Sequence, residues 1–469
     1  MALVVSRYCA ITFLTALSLL VLSANFYFVY VIVDERASGS APTNTEQVKA
    51  DRNLNVSLYN KNRQKHVKRD SWLLPYKNAT QSAIQEIKEI IPKLHKKYLQ
   101  ISFSFKEILS NLLNDLKQTI RASNSLWAVV DKWVGPRQVI PERSSLLGTV
   151  LNMLSSTKII HAENAQRGTQ LKLLLTLEGG HKAVFKPQWY SRSQIIEGPV
   201  YAGKDRHNAE VAAFHLSLLL GLRRSPLTVG RKINLRSEVM PVAAGSLLDT
   251  FYQEGNDTCL YGVCYYCSPQ DPVCAHKDVM EGALIYWLPE SYKLKKYRHP
   301  WQRTYKFDAV ARWEVDNNYC TKVMTSRLYN PQKSTRILDL IDAAVFDFLI
   351  DNGDRHHYEV FDNVSNSMVL LLDNGKSFGH PKQDHLDILA PLYQCCIIRQ
   401  TTWERLRVLA GGALSFSMEK LLQGSQIAPV LTAAHLHALD RRLLAVFAAV
   451  EMCFNHVGEA AVLWNSPNG

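Results

Sequence analysis

The sequence lacks internal repeats and low-complexity tracts, and charged residues make up only 20% of it. Without repeats, solenoid and array architectures are excluded, because those folds require self-similarity at a fixed period. Hydrophobic residues account for 47% of the chain, which suits an ordinary globular core and excludes wholesale disorder. The 469 residues exceed the usual size of a single core, which favours one large bilobed domain or two domains with appendages.

The chain carries a formal net charge of +12, which would suit an anionic partner. Much of this charge lies in two short basic runs, Lys61–Arg69 and Lys93–Lys97. We interpret both runs as solvated surface, and we expect no nucleic-acid partner.

An apolar run occupies residues 8–33 and ends at Asp34. Since about 20 apolar residues cross a bilayer, this run is long enough to be a membrane anchor. The flanking charge of Arg7 places residues 1–7 in the cytoplasm and the rest of the chain in the lumen. We therefore expect an uncleaved type II signal anchor, with cleavage near Leu22-Ser23-Ala24 as the alternative.

Eight of the nine cysteines follow this run, an even number that suits disulfides in an oxidising lumen. They are Cys259, Cys264, Cys267, Cys274, Cys320, Cys395, Cys396 and Cys453. A zinc site is the alternative, because Cys264 and Cys267 have ligand-like spacing. Four N-glycosylation triplets also fit lumenal exposure, and they begin at Asn55, Asn78, Asn256 and Asn363.

The pattern of apolar residues changes along the lumenal part. Residues 34–79 are polar, as expected of a flexible stem, whereas the helical spacing within residues 80–132 predicts two or three helices before the core. Alternating leucines from Leu171 to Leu177, a Gly-Gly turn and the run Lys182–Lys186 then predict a β-hairpin.

The second half alternates helical and strand patterns. Helical spacing occurs in Asn208–Leu220, and Gly282–Leu288 predicts a strand or an interlobe connector. A strongly apolar helix that starts at Arg336 leads into the polar segment Asp351–Glu359. We predict that Met368–Leu372 is a buried strand and that the remaining chain forms packed helices.

Four residues follow the chain order of a phosphotransferase site: a strand lysine, a helix carboxylate, a loop aspartate and an aspartate after a strand. They are Lys186, Glu210, Asp354 and Asp373. Phosphoryl transfer needs a cation for the triphosphate, carboxylates for a divalent metal and a carboxylate near the attacking hydroxyl. Each residue alone also has an ordinary structural interpretation, as a surface lysine, a helix-terminus acid, a turn or a capping residue.

The sequence departs from ordinary protein kinases at several points. It has no Gly-x-Gly-x-x-Gly loop, no His-Arg-Asp order, no Asn five residues after Asp354 and no Asp-Phe-Gly. Motif rules alone therefore indicate an atypical kinase.

Long motifs resemble the secretory-pathway kinases related to the Golgi casein kinase. They are Gly168–Lys172, Val184–Pro187, Asp205–His215, Asp354–Glu359 and Leu372–Gly379. Within that family, Trp133–Cys453 resembles the glycosaminoglycan xylosylkinase branch. The narrower match is carried by Tyr190–Arg192, Glu197–Gly198, Tyr201–Gly203, Arg298–Trp301 and Ala311–Glu314.

The resemblance implies an α+β fold of the atypical, bilobed protein-kinase-like type, stabilised by disulfides. A β-rich small lobe with insertions would occupy residues 133–284, a helical large lobe residues 285–458 and a C-terminal tail residues 459–469. The resemblance also implies a pairing of Cys259 with Cys274, Cys264 with Cys267, Cys320 with Cys395, and Cys396 with Cys453. That pattern uses every lumenal cysteine.

The same resemblance assigns roles to individual residues. Asp354 would be the catalytic base, and Glu210 and Asp373 would hold manganese, with magnesium as the other candidate ion. The ATP site would comprise Gln170, Lys186, Ile285, Tyr286, Trp287, Leu288, Glu359 and Asp373, with residues 285–288 as the interlobe connector against the adenine.

The implied activity is phosphorylation of xylose at its 2-O position, in the galactosyl-xylose linkage glycan of proteoglycans, by a Golgi membrane enzyme. The alternative is a secretory-pathway serine kinase of acidic secreted proteins. The segment Tyr190–Gly203 resembles the sugar-directed branch and favours the sugar acceptor. A pseudokinase is a third hypothesis, disfavoured by the presence of Glu210. Homo- or hetero-oligomerisation and shedding from the membrane are left open.

Tyr201 and Trp301 are candidate contacts for the acceptor, because aromatic rings can stack on sugar faces. For Trp301, a role as a buried core anchor is an equal alternative.

Overall fold

The computed structural model describes residues 79–94, 96–119, 125–166, 168–306 and 309–465. The predicted cytoplasmic tail, the anchor and residues 34–78 of the stem lie outside this part, together with the sequons at Asn55 and Asn78. Within the described residues, no helix has both the length and the apolar character that a membrane crossing requires.

The described chain begins with helices and continues into strands. The elements up to the centre of the chain are α1 (Ala79–Ile90), α2 (Phe105–Asp115), α3 (Ser125–Asp131), α4 (Leu147–Ser156), β1 (Ile159–Asn164), β2 (Leu173–Leu177), β3 (Lys182–Pro187), α5 (His207–Leu219), β4 (Thr228–Asn234), α6 (Gly245–Leu248), β5 (Phe251–Glu254), β6 (Asp257–Leu260), β7 (Val273–Cys274) and β8 (Val279–Tyr286).

The second half is mainly helical. Its elements are β9 (Leu294–Arg298), α7 (Arg312–Val315), α8 (Tyr319–Met324), α9 (Arg336–Ile350), β10 (His357–Phe361), α10 (Ala390–Cys395), β11 (Ile398–Arg399), α11 (Gln400–Val408), α12 (Ala413–Leu422), α13 (Ala433–Val457), α14 (Glu459–Val462) and β12 (Leu463–Trp464).

A five-stranded antiparallel sheet, in the order β1-β2-β3-β8-β4, forms the first layer of the core. The predicted hairpin is confirmed, because β2 and β3 pair with Leu175 opposite Ala183. Leu173, Leu175 and Leu177 are buried, as their alternation requires, and helix α5 packs against β4 and β8. The sheet thus places the end of β3 beside the start of α5.

Helix α9 is the buried axis of the helical part, with every residue from Arg336 to Ile350 buried. Its two inner carboxylates, Asp339 and Asp342, are paired with arginines from distant segments: Arg137 contacts Asp339, whereas Arg224 and Arg399 contact both. Burial alone would raise the pKa of Asp339, but the attraction of the three guanidinium groups lowers it. The network anchors the first two turns of α9 to these distant segments.

Residues 368–371 are buried and Leu372 is half-buried, but Met368–Leu372 is not a strand, so the sequence prediction was wrong there. Its backbone N–H groups bond to three unrelated acceptors: Met368 to Pro136 O, Leu370 to Glu359 O and Leu371 to Arg224 O. Among the described residues, no neighbouring strand forms a continuous hydrogen-bond ladder with this segment. The apolar pattern therefore predicted the burial of these side chains correctly but not their backbone pairing.

The four cysteine pairs implied by the resemblance are confirmed, from Cys259–Cys274 and Cys264–Cys267 to Cys320–Cys395 and Cys396–Cys453. The zinc alternative is therefore wrong for Cys264 and Cys267. The predicted domain boundaries stay predictions, as do the sequons at Asn256 and Asn363, whose side chains are exposed.

The Cys320–Cys395 bridge joins α8 to α10 across a sequence separation of 75 residues. Replacing both cysteines by serine should lower the free energy of unfolding by about 2–4 kcal/mol, because the unfolded chain regains the entropy of a long loop. Denaturant unfolding measures the loss. The matched control is Cys264→Ser with Cys267→Ser, whose sequence separation of 3 predicts a smaller loss. An equal loss in the two double variants would contradict the loop-entropy explanation.

Candidate active site

The site is built around the ammonium group of Lys186 at the end of β3, a side chain that is only 5% exposed. Its Nζ donates to Asp205 Oδ2 at 3.0 Å, to Glu210 Oε1 at 2.6 Å and to Asp373 Oδ1 at 2.6 Å. Three of the long motifs identified in the sequence meet in this contact. We call these four residues the lysine cluster.

The charges in the lysine cluster stabilise one another. Burial alone would lower the pKa of Lys186, but the attraction of Asp205, Asp373 and Glu210 raises it well above its usual value. The Lys186 ammonium in turn holds the pKa of Asp373 below its usual range. The cluster therefore contains one cation and three carboxylates.

The donor set of the lysine cluster fits a divalent metal. Three carboxylates against one ammonium leave a formal excess of two negative charges, and carboxylate oxygens are the ligands that Mn²⁺ and Mg²⁺ prefer. The side chain of Asp373 is 71% exposed, so this carboxylate is accessible from the solvent side of the cluster.

Glu210 is fixed from the opposite side by Asn374. Its Oε1 accepts the backbone N–H of Asn374 at 3.0 Å, and its Oε2 accepts the side-chain amide at 3.3 Å. The backbone N–H of Arg206 bonds to Gly375 O at 2.7 Å, so the start of α5 lies directly on this loop. A Cβ at Gly375 would come within 2.7 Å of the Asp205 side chain, which explains the glycine.

Arg355 ties the loop after α9 to the segment that carries Asp373. Its guanidinium donates to both oxygens of Asp347 at 2.5 and 2.8 Å, to Leu372 O at 2.6 Å and to Asn374 Oδ1 at 2.8 Å. Burial would lower the pKa of Arg355, but the charge of Asp347 raises it. Asp354 and Asp373 are thus held in one rigid frame, although 19 positions separate them.

Asp354 lies at the open edge of this frame, with its side chain 26% exposed. Its backbone N–H bonds to Asn352 Oδ1 at 3.2 Å, and its carbonyl accepts from His356 Nδ1 at 2.7 Å. The Asp354 carboxylate also accepts a hydrogen bond from the hydroxyl of Tyr305. A partly exposed carboxylate on a loop that Arg355 ties to the segment of Asp373 is the arrangement that phosphoryl transfer requires.

Comparison with known proteins agrees with this geometry. The sequence matches the family described as Golgi casein kinase, C-terminal, Fam20, over residues 125–462. The chain belongs to this family. The predicted kinase-like α+β fold is thereby confirmed, and the protein is a kinase-type phosphotransferase.

Two curated relatives represent the two kinds of kinase in the family, one named for a sugar acceptor and one for protein acceptors. Glycosaminoglycan xylosylkinase of Homo sapiens is 52% identical over 340 residues, which are 72% of this chain and 83% of the relative. The extracellular serine/threonine protein kinase FAM20C of Homo sapiens is 42% identical over 324 residues, which are 67% of this chain and 55% of the relative.

Two solved structures are also similar. The structure of hydra Fam20 with sugar has a TM-score of 0.70 at 46% identity and covers 74% of this chain and 99% of its own. The Golgi casein kinase with Mn/ADP bound has a TM-score of 0.68 at 32% identity and covers 78% of this chain and 91% of its own.

The remaining nucleotide-site candidates of this Fam20 chain lie at different distances from the lysine cluster. Gln170 is adjacent to it, because its Oε1 accepts the backbone N–H of Asp205 at 2.7 Å. Glu359 lies on β10. Burial raises its pKa, and the positive charges of Arg355 and Lys296 offset only part of this rise. No direct bond joins Glu359 to Lys186 among the described residues.

The predicted connector begins inside strand β8, which ends at Tyr286. The Tyr286 ring stacks on Trp127 with centroids 5.0 Å apart, and its hydroxyl contacts Asp131 and His181 at 3.1 Å. The Tyr286 side chain therefore packs against α3. Ile285, Trp287 and Leu288 are less buried, and Trp287 is 44% exposed.

The two acceptor candidates have different environments. Tyr201 packs edge-on against Tyr305, with ring centroids 4.7 Å apart, close to Asp354. Trp301 is only 5% exposed, donates from Nε1 to Gln394 Oε1 at 2.8 Å and packs on Tyr319. Its burial favours the core-anchor alternative over contact with a sugar.

Sequence reasoning missed Tyr305, Asp205, Arg355 and Asn374 as parts of the site. Asp205, Arg355 and Asn374 fall within the quoted motifs, so the motifs pointed to their segments but not to their contacts. Tyr305 follows the matched segment Arg298–Trp301 and carries no recognisable signal of its own.

Trp301→Ala should lower the free energy of unfolding by about 3–5 kcal/mol, because a large buried side chain and its hydrogen bond are both lost. Tyr201→Ala, at a partly exposed position, should leave the melting temperature nearly unchanged. Thermal and denaturant unfolding of the two variants side by side makes the comparison. A stable Trp301→Ala variant would show that Trp301 is not the core anchor.

Proposed function

We propose that this chain transfers the γ-phosphate of ATP to the 2-hydroxyl of xylose in the galactosyl-xylose linkage glycan of proteoglycans. The observation that carries phosphotransfer is the lysine cluster, in which Lys186 contacts Glu210 and Asp373, while Arg355 ties the same segment to the loop that carries Asp354. The choice of a sugar acceptor is supported by the greater similarity to xylosylkinases than to serine kinases.

In this proposal each residue has a separate task. Lys186 exchanges part of its carboxylate pairing for the phosphates of ATP, and Gln170 borders the same space. Glu210 and Asp373 would hold a manganese ion, which when bound neutralises the charge that develops on the phosphoryl group. Asp354 accepts the proton of the xylose hydroxyl as its oxygen forms a bond to the γ-phosphorus and the bond to ADP breaks.

We further propose that the enzyme resides in the Golgi membrane, with residues 8–33 as its anchor and the kinase part in the lumen. Four disulfides support this location, because such bonds persist in an oxidising compartment.

The acceptor is tested by incubating the lumenal part with ATP, manganese and either a β-galactosyl-xyloside or casein. Phosphate should appear on the xyloside, at the 2-hydroxyl of its xylose. Asp354→Asn should lower this turnover by orders of magnitude and leave ADP affinity within about threefold of wild type, because the base is lost while the nucleotide site persists. Phosphorylation of casein alone would favour a serine kinase instead, and an active Asp354→Asn variant would remove the base from its role.

Glu210→Gln should weaken Mn²⁺ binding in the presence of ADP by more than about tenfold, because a hydrogen-bonded carboxylate ligand is lost. Isothermal titration measures this without any turnover. Glu290→Gln is the matched control, since the side chain of Glu290 is 87% exposed and faces Lys182 at the far end of β3. Equal Mn²⁺ affinity in the two variants would exclude Glu210 as a ligand.

A further inference from the structure

The base predicted for the reaction is already occupied by a hydroxyl of the chain itself. The phenol of Tyr305 donates to Asp354 Oδ1, where a reacting hydroxyl would have to donate. The same phenol oxygen lies 3.1 Å from His356 Nδ1. Tyr305 belongs to none of the motifs that identify the nucleotide site.

The direction of these hydrogen bonds follows from the acceptors. His356 Nδ1 lies 2.7 Å from the carbonyl oxygen of Asp354, which can only accept, so Nδ1 carries a hydrogen. Because that hydrogen is used by the carbonyl, Nδ1 cannot accept from the Tyr305 phenol, and the phenol donates its hydrogen to Asp354. Burial, followed by the hydrogen bond to Asp354 and the charge of that carboxylate, raises the pKa of the Tyr305 phenol, which keeps its hydrogen in place.

The Tyr305 ring is held loosely enough to move. It is 45% exposed, and its ring neighbours are Tyr201, edge-on at 4.7 Å, and the His356 ring at 5.7 Å. Two residues earlier the backbone is anchored by the ion pair between Arg303 and Asp387. A rotation of the side chain can thus uncover Asp354 while the backbone stays in place, and such rotations occur within nanoseconds on exposed side chains.

We propose that Tyr305 is a positioning residue that covers Asp354 until an acceptor displaces it and thereby suppresses hydrolysis of ATP by water. This inference rests on the proposed role of Asp354 as the base. Tyr201, which reaches Tyr305 from the segment Tyr190–Gly203, completes the cover.

Transfer and hydrolysis differ only in the attacking oxygen. In both, an O–P bond forms to the γ-phosphorus, the bond to the β-phosphate oxygen breaks with release of ADP, and Asp354 receives one proton. A water molecule can reach an uncovered Asp354 as readily as a sugar hydroxyl can. An acceptor with several contacts can replace the Tyr305 hydrogen bond, whereas a lone water gains too little to do so.

The test is Tyr305→Phe, which removes the hydroxyl and keeps the ring. Acceptor-free hydrolysis of ATP, expressed per ADP-binding site titrated, should rise on the order of tenfold, as expected for the loss of one hydrogen bond to a charged group. The KM for the β-galactosyl-xyloside should fall, because the acceptor no longer displaces the phenol. Tyr305→Leu, which also removes the ring contact with Tyr201, should raise hydrolysis at least as much.

Tyr319→Phe is the matched control, because its hydroxyl bonds to Pro300 O at 2.6 Å and does not contact Asp354. Its hydrolysis should equal that of wild type. Hydrolysis in Tyr305→Phe that is unchanged or lower, with the nucleotide site intact, would overturn the proposal. If the xyloside is not phosphorylated by wild type, the proposed function fails, whereas the acceptor-free measurement still decides the role of Tyr305.

Discussion

The buried ammonium of Lys186 is the constraint on which the rest of the site depends. A lysine that is 5% exposed cannot remain charged unless carboxylates compensate for the lost solvation, and three of them do so. Those carboxylates come from the approach to α5, from α5 itself and from the segment before Gly375. Pairing the Lys186 ammonium with these carboxylates therefore fixes strand β3, the start of α5 and the segment that carries Asp373 relative to one another.

A second set of charged groups, centred on Arg355, fixes the loop that carries Asp354 relative to the lysine cluster. Arg355 binds Asp347 inside α9 and, at the same time, the carbonyl of Leu372 and the side chain of Asn374. Asn374 in turn bonds to Glu210, so the base-bearing loop and the lysine cluster share a common support. Since breaking a buried pair costs several kcal/mol, this frame resists the small displacements that would misalign the site.

The acceptor side is built differently from the nucleotide side. The side chains of Lys186, Glu210 and Arg355 are buried and paired, whereas Tyr201 and Tyr305 are partly exposed aromatic side chains. A rigid metal and phosphate site combined with a mobile aromatic cover suits an enzyme whose acceptor is one part of a larger glycan.

The sequence by itself determined the elements with strong local periodicity, among them the β2–β3 hairpin, α5 and α9. Its motifs identified Lys186, Glu210, Asp354 and Asp373 and, through the family resemblance, all four disulfides. The elements and the motif residues were predictable because side-chain periodicity and motif spacing are local properties of the chain, whereas the disulfide pairing was implied only by the resemblance.

Tertiary structure alone decided the rest. The resemblance assigned Lys186 and Asp373 to one ATP site, but only the fold shows that these side chains, 187 positions apart, bond to each other directly. Met368–Leu372 has the apolar pattern of a strand, but its hydrogen-bond partners come from three separate segments, which no pattern in that stretch encodes. The contact of Tyr305 with Asp354 likewise depends on how residues 299–306 pack on the loop after α9, because a hydroxyl reveals its acceptor only when the fold brings the two together.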